Sequence, residues 1–326
     1  MFSDSKDMKP SKFNPECFSR GQKYKLDLET ESKPKGVRLP VLLVRGARPG
    51  KTLVATAAIH GDEYEGVRTI FDVFHALDPM HMSGDFLAVP VSNPPAFWNG
   101  TRASPLDGAN LARVFPGDLN AGASSIIAYH LAQTIIARAD FYLDLHSAGI
   151  LWASPALAGY NANDTRSLDA ALIFGTKIIW GHPVIPPGRT VSFATERNIP
   201  WLYTEAWGSG RIDPSELQLF VRGVFNLLRH LKILPGRPRR ARLQWHLYGD
   251  GNTDKGLSAK YEGFCVPCVG LLQKVSRRQE LGQVYDLHGK TIQTLRAASH
   301  GIVAMIRQFP VVHPGEPLFL ITGLRP

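Results

Sequence analysis

His60, Glu63, His146 and Glu205 are the residues whose types and positions in this chain could do chemistry together. Two imidazoles and one carboxylate form a ligand set for a divalent ion that keeps one coordination position open. An ion held this way lowers the pKa of bound water to about 7 and polarises a carbonyl. A further carboxylate, which Glu205 could supply, would take a proton from the water and pass it to a leaving nitrogen. No member of the set is diagnostic alone. A His-x-x-Glu pair is common, a histidine at a strand end is more often a hydrogen-bonded surface or core group, and a lone glutamate can be a salt-bridge partner. Asp144, two residues before His146, reads either as a carboxylate orienting that imidazole from behind or as a neighbour stabilising a helix. No HExxH pattern is present, so the thermolysin arrangement is absent.

The joint placement of these residues depends on the elements that carry them. Lys51 to His60 reads as a buried strand that runs into Gly61-Asp62 and then a helix. Val67, Ile70, Phe71, Phe74 and Leu77 give that helix one apolar face. Phe141 to Leu145 is a strand ending at His146, and Trp201 to Glu205 is another. Further strand-like runs cover Tyr24 to Leu28, Leu39 to Val44, Phe86 to Val91 and Lys177 to Trp180. A helix is expected from about Ser125 to Arg138. A second follows Asp213, with Pro214 in its first turn and Glu216 completing a capping box, and runs to about Leu231. Strands alternating with helices indicate an α/β fold, a mainly parallel mixed sheet flanked by helices. In such sheets the ligand crevice lies at the carboxyl ends of the strands, where His60, His146 and Glu205 are expected. The long Pro- and Gly-rich stretch up to about Asn120 reads as functional, because of its aromatics and arginines.

From about Leu234 the character changes to short strand-like runs punctuated by glycine, which reads as a small all-β domain. The expected division is a catalytic domain over 1–235 and a β domain over 236–326. The chain has a net charge of +9, which suits an acidic substrate. No nucleic-acid motif accompanies the charge, and Arg237, Arg239, Arg240 and Arg242 beside Pro235 and Pro238 read as a solvated linker. Three cysteines without a signal peptide argue against a disulfide framework, and Cys265 and Cys268 read as small buried thiols. No apolar run is long enough for a membrane span, so the default expectation is a cytoplasmic protein with no membrane or nucleic-acid partner. The oligomeric state is left open, a homo-oligomer included.

The segment HGDEYEG, His60 to Gly66, resembles the metal motif of the aspartoacylase and succinylglutamate desuccinylase family, relatives of the zinc carboxypeptidases. The resemblance continues through VPVSNPPAFWNGTR, SPLDGANLARVFPG, DLHS and TEAWGSGRIDP, and is strongest toward the branch of N-acetyl-diaminobutyrate deacetylase-like proteins. It implies one zinc ion per chain on His60, Glu63 and His146, with Glu205 as general base and acid. Arg102 resembles an arginine that polarises the scissile carbonyl or holds substrate, and Arg113 one that grips the substrate carboxylate in two bonds. Asn110, Trp207 and Arg211 are further substrate-binding candidates, with Trp207 read either as lining the pocket or as packing in the core. The C-terminal segment resembles the lipoyl-like β domain that narrows the active-site mouth in this family. Ser299 and His300 stand where a carrier domain would hold its modified lysine, so a carrier role is not implied.

Two departures from the family pattern stand out. Ala112 occupies the position before the motif arginine where the family has Asn, and Ala206-Trp207 follows Glu205 where a small aliphatic residue and Gly are usual. The expectation is therefore a zinc-dependent hydrolase that cleaves the amide of a small, anionic N-acyl amino acid or related carboxylated amide. A carboxypeptidase-like enzyme acting on short peptides or peptidoglycan fragments and a metal-binding module without catalysis are the alternatives. The acyl group, the amine product and the pathway are not written in these residues.

Overall fold

The computed structural model describes residues 6–31 and 36–325, so part of the turn-rich stretch between the first two expected strands lies outside the described residues. The strands, in chain order, are β1 (Lys6–Met8), β2 (Gln22–Glu29), β3 (Arg38–Arg45), β4 (Arg48–Ala57), β5 (Ser83–Val89), β6 (Phe141–Leu145), β7 (Trp152–Ala153), β8 (Leu157–Asn161), β9 (Ile178–His182) and β10 (Trp201–Glu205). The C-terminal part adds β11 (Trp245–Tyr248), β12 (Leu257–Ser258), β13 (Gly263–Pro267), β14 (Lys274–Val275), β15 (Glu280–Tyr285), β16 (Thr291–Arg296), β17 (Gly301–Arg307), β18 (Val311–Val312) and β19 (Pro317–Leu324). The helices are α1 (Glu65–Ala76), α2 (Pro94–Asn99), α3 (Ala123–His130), α4 (Thr165–Phe174), α5 (Thr190–Glu196) and α6 (Pro214–His230).

Strands β1 to β6 and β8 to β11 lie in one mixed sheet of order β1-β2-β3-β5-β4-β6-β10-β8-β9-β11, which continues into β19, β17 and β14. Its centre, β5-β4-β6-β10, is parallel, and β8 runs antiparallel to β10 before β9 and β11 resume parallel pairing. Alternation along β4 explains the layering. Leu53, Ala55 and Ala57 face one core with Ile70, Phe74, Phe220 and Val224, while Val54 faces the other with Ile127, Leu131 and Trp201. Helices α1, α4 and α6 therefore cover one face, and α3 and α5 the other. The chain reads as helical from 123 to 138, but a π turn over Leu131–Ile135 and a 3-10 turn over Ile136–Arg138 follow α3.

The start of α6 differs from the expected capping box. Asp213 accepts from the amides of Ser215 and Glu216, as a cap should, but Glu216 turns its carboxylate to the Trp207 amide at 3.0 Å. That contact ties the loop after β10 to the helix. In the C-terminal part, the sheet β16-β15-β13-β18 faces β17 and β19 across a core that includes Leu281, Val284, Leu295, Val303 and Phe319. Cys265 is buried there, whereas Cys268 is exposed, because it lies one residue beyond the end of β13. The four linker arginines are exposed as expected. Among the described residues no helix is long and apolar enough to cross a membrane.

Candidate active site

Three neighbouring strands, β4, β6 and β10, deliver the site at their carboxyl ends. His146 follows β6 directly and Glu205 is the last residue of β10. His60 departs from expectation: β4 stops at Ala57, and the chain passes through left-handed Ala58 (φ 48°) before presenting the imidazole. Gly61 then packs so tightly that an added Cβ would stand 2.0 Å from the carbonyl carbon of Ala96 in α2. Only glycine lets this loop press on α2 and carry Glu63 to the mouth of α1.

Both imidazoles point Nδ1 at the same carboxylate. His60 Nδ1 lies 2.7 Å from Glu63 Oε1, and His146 Nδ1 lies 2.8 Å from Glu63 Oε2. Each ring turns Nε2 outward to an oxygen, His60 to Asn110 Oδ1 at 3.2 Å and His146 to Asp144 Oδ2 at 3.0 Å. These oxygens already accept hydrogen bonds, Asn110 Oδ1 from the Ala112 amide and Asp144 from the hydroxyls of Thr56 and Thr190. Each Nε2 faces an acceptor and carries an N–H, so neutral His60 leaves a lone pair on Nδ1 aimed at Glu63, while charged His146 also donates from Nδ1 to Glu63 and exposes its lone pair there once a cation displaces that proton. A lone pair facing a carboxylate is repulsive unless a positive charge sits between them.

The residues thus fit a divalent cation. The donor atoms of His60, Glu63 and His146 lie within 4.8 Å of one another, and outer oxygens fix both rings in the tautomer a ligand needs. Burial, followed by the charge of Arg102, pushes the His60 pKa down to about 4, so that ring holds no extra proton at neutral pH. His146 behaves differently: burial opposes its charge, but Asp144 and Glu63 outweigh burial and raise it well above the usual imidazole range. Glu63 is held low, since the two imidazoles overcome the effect of burial.

Glu205 faces this cluster from the next strand. Its Oε2 is buried without a hydrogen-bond partner among the described residues. Burial first, and then the negative charge of Glu63, push its pKa up to about 8, against the pull of His146 and Arg102. The result is a carboxyl group poised to hold and release a proton near neutral pH.

The cleft is lined by His60, Glu63, Arg102, Arg113, His146 and Glu205, among others. Arg102 Nη1 reaches Glu63 Oε1 at 3.4 Å. Arg113 is held by Asp254 of the C-terminal part through two bonds of 3.1 Å. Asn110 stands behind His60 rather than in the lining. Trp207 and Arg211 are not among the lining residues; both are exposed. The strand ends at Glu205 and the chain turns at Gly208 (φ 86°), so strand alternation no longer aims Trp207 at the cleft.

Sequence reasoning missed Tyr203, His182, Arg189 and Asp250, which also line the cleft. Tyr203 was findable, because it stands two residues before Glu205 on one strand face. The others come from β9, the start of α5 and the turn after β11, and no local pattern announces them.

Known proteins resemble this chain over most of its length. The family model described as the succinylglutamate desuccinylase/aspartoacylase catalytic domain matches residues 49–231. N-alpha-acetyl-L-2,4-diaminobutyric acid deacetylase from Halomonas elongata is 30% identical over 301 residues, 89% of this chain and 87% of that one. A crystal structure of a succinylglutamate desuccinylase/aspartoacylase from Rhodobacter sphaeroides is 26% identical with a TM-score of 0.83, covering 94% of this chain and 97% of that one. The product-bound ectoine utilization protein EutE (DoeB) from Ruegeria pomeroyi shares the fold at 23% identity and a TM-score of 0.84, over 94% of this chain and 96% of that one. With a family model spanning more than half of its length and a relative matched almost end to end, the chain belongs to the succinylglutamate desuccinylase/aspartoacylase family.

Proposed function

We propose that the chain is a zinc-dependent deacylase hydrolysing the amide of a small N-acyl amino acid or related carboxylated amide. Its family consists of amide-hydrolysing enzymes, and the Halomonas relative is a deacetylase. The observation that carries the finer reading is Glu205: a buried carboxyl with one unpartnered oxygen, its pKa near 8, beside three converging ligand groups.

His60, Glu63 and His146 would hold the zinc. When bound there, zinc supplies Lewis-acid polarisation of the scissile carbonyl and acidifies water. Glu205 takes the proton of the attacking water and delivers it to the amine nitrogen as the C–N bond breaks. Arg102, already within reach of Glu63, offers its guanidinium to the carbonyl oxygen as negative charge develops on it. Asp144 holds His146 in its tautomer throughout.

The substrate carboxylate falls to Arg189, beside Arg113, whose own charge is taken up by Asp254. Arg189 donates to Asn252 Oδ1 at 3.1 Å and has no carboxylate partner among the described residues, so its charge is free for a ligand. Residues 236–326 act in this reading as a lipoyl-like domain that narrows the mouth. Asp250, Thr253 and Met305 in the lining support that role.

Metal content of the purified protein, together with hydrolysis of a panel of N-acyl amino acids, tests the proposal. About one zinc per chain, lost in His146→Ala, with release of free amino acid, is the expected result. Protein that takes up no zinc and cleaves none of the panel would overturn it.

A further inference from the structure

Trp207 and Arg211 stand outside the cleft, and the loop that carries them joins a larger apolar surface. In the C-terminal sheet, β13 pairs with β18 so that Phe264 lies opposite Val311. The Cys265 amide donates to the Pro310 carbonyl at 2.8 Å, which continues the register and brings Val266 opposite Phe309. Residues opposite one another share a sheet face. Cys265 and Val312 point into the core, so Phe264, Val266, Phe309 and Val311 form a two-by-two block on the outside. Each of the four is 42–48% exposed.

This block runs on into the loops beside the cleft. The amides of Gln308 and Phe309 donate to the Leu151 carbonyl at 2.8 and 3.3 Å, and Ser209 Oγ donates to Gln308 Oε1. Ile150, next to Leu151, packs over Gly210, where an added Cβ would stand 2.8 Å from its Cγ2. Ile150, Trp207 and Ile212 are 37–44% exposed. The surface therefore has a loop end, after β6 and β10, and a sheet end, on β13 and β18.

Area and charge together say what covers it. Seven large side chains, each a little under half exposed, present on the order of 600 Å² of apolar surface, taking roughly 200 Å² for each whole side chain. That is at the top of the range for the largest apolar patch of a monomer, about 300–600 Å². A standard interface buries about 800 Å² per partner, and in homodimers about 65% of it is apolar. The surface holds what one side of such a dimer needs. Arg211 rims the loop end beside Ile212, and Glu262 rims the sheet end two residues before Phe264; both are exposed. A two-fold axis through the middle lays the loop end of one copy on the sheet end of the other. Each Arg211 then meets the Glu262 of the second copy. A net charge of +9 opposes self-association, and these two ion pairs offset it at the points of contact.

We propose that this surface is the isologous interface of a homodimer, with Phe264, Val266 and Phe309 at its centre and Arg211–Glu262 ion pairs at both ends. The loops it covers follow directly on His146 and Glu205, so pairing braces the segments that carry both. It does not depend on the deacylase reading.

Sedimentation equilibrium of the full chain at micromolar concentrations tests it. Wild type is expected at twice the chain mass. Phe264→Asp, at an exposed position, should give a monomer with an unchanged thermal melt. Leu287→Asp, equally apolar and exposed but on the β15–β16 turn, should leave the dimer intact. Arg211→Glu and Glu262→Arg should each weaken association by about tenfold or more, because like charges then face each other across the axis. The double variant rebuilds both pairs with the signs exchanged, and association should recover. A monomer at every concentration, which would leave this surface to a different partner, overturns the proposal. So does a dimer that survives Phe264→Asp, or a double variant that fails to recover.

Discussion

Arg113 and Asp254, which are 141 positions apart, meet in a two-pronged ion pair, with Nε to Oδ2 and Nη2 to Oδ1 both at 3.1 Å. One comes from the loop that follows α2, the other from the turn after β11. The pair closes one side of the cleft and spends the charge of the arginine that a substrate carboxylate would otherwise meet. Both side chains are partly exposed, so the pair contributes little to stability, about 0–1 kcal/mol. Its effect falls on binding instead. In Asp254→Asn the Arg113 guanidinium joins Arg189 as a second free cation. KM for an anionic substrate should fall several-fold at low salt, with the gain shrinking as ionic strength rises, while the melting temperature barely moves. Steady-state kinetics at two salt concentrations, beside a thermal melt, check this.

Glu205→Gln keeps the shape of the buried side chain but cannot move a proton. Turnover should fall by roughly 10²–10⁴-fold, the usual contribution of an acid–base group, while metal content stays at the wild-type level. The pH dependence has a definite sign. In metal-free protein the Glu205 carboxyl should titrate near 8, and a bound dication should lower that value by favouring the carboxylate. Infrared titration of the carboxyl band, with and without zinc and against Glu205→Gln as the blank, reads both numbers. An identical pKa in the two forms would mean that Glu205 does not face the metal.

Asp144 lies behind His146 and never reaches the centre. It accepts from His146 Nε2 and from two threonine hydroxyls. In Asp144→Asn the partner of that Nε2–H is weaker and His146 loses basicity. Zinc affinity should drop on the order of 10–100-fold while the fold persists. Competition with a chelator of known affinity measures it directly.

How far the site could be read from sequence follows the range of the contacts. His60, Glu63, His146 and Glu205 each sit at or just past a strand whose apolar run is visible locally, and the parallel centre of the sheet gathers those strand ends. The reversal at β8 has no such signal. It alone brings His182 within reach of Tyr203, and it depends on Gly159 and Gly181 leaving room for two rings. Asp250 and Asp254 arrive through β11, a strand the sequence assigns to the β-rich C-terminal part but which pairs with β9 of the main sheet. Trp207, singled out by its departure from the family pattern, lies past the end of β10, where the turn at Gly208 leaves its side chain exposed and outside the cleft lining.

Glu65, two positions beyond the proposed ligand Glu63, offers a prediction about stability. It begins α1 and its side chain is buried. Burial pushes its pKa up to about 7. A raised carboxyl pKa means that the folded state binds a proton the unfolded chain has already lost. Stability from this group is full below the unfolded value near 4.5 and is lost as pH rises through 7. Glu65→Gln removes the titration. The difference in unfolding free energy between variant and wild type should therefore move in favour of the variant between pH 5 and pH 8, by at most about 3 kcal/mol. Urea denaturation of the metal-free proteins at the two pH values isolates the effect, since every other titrating group cancels in the comparison. A difference that stays flat with pH would show that Glu65 keeps its charge in the folded protein.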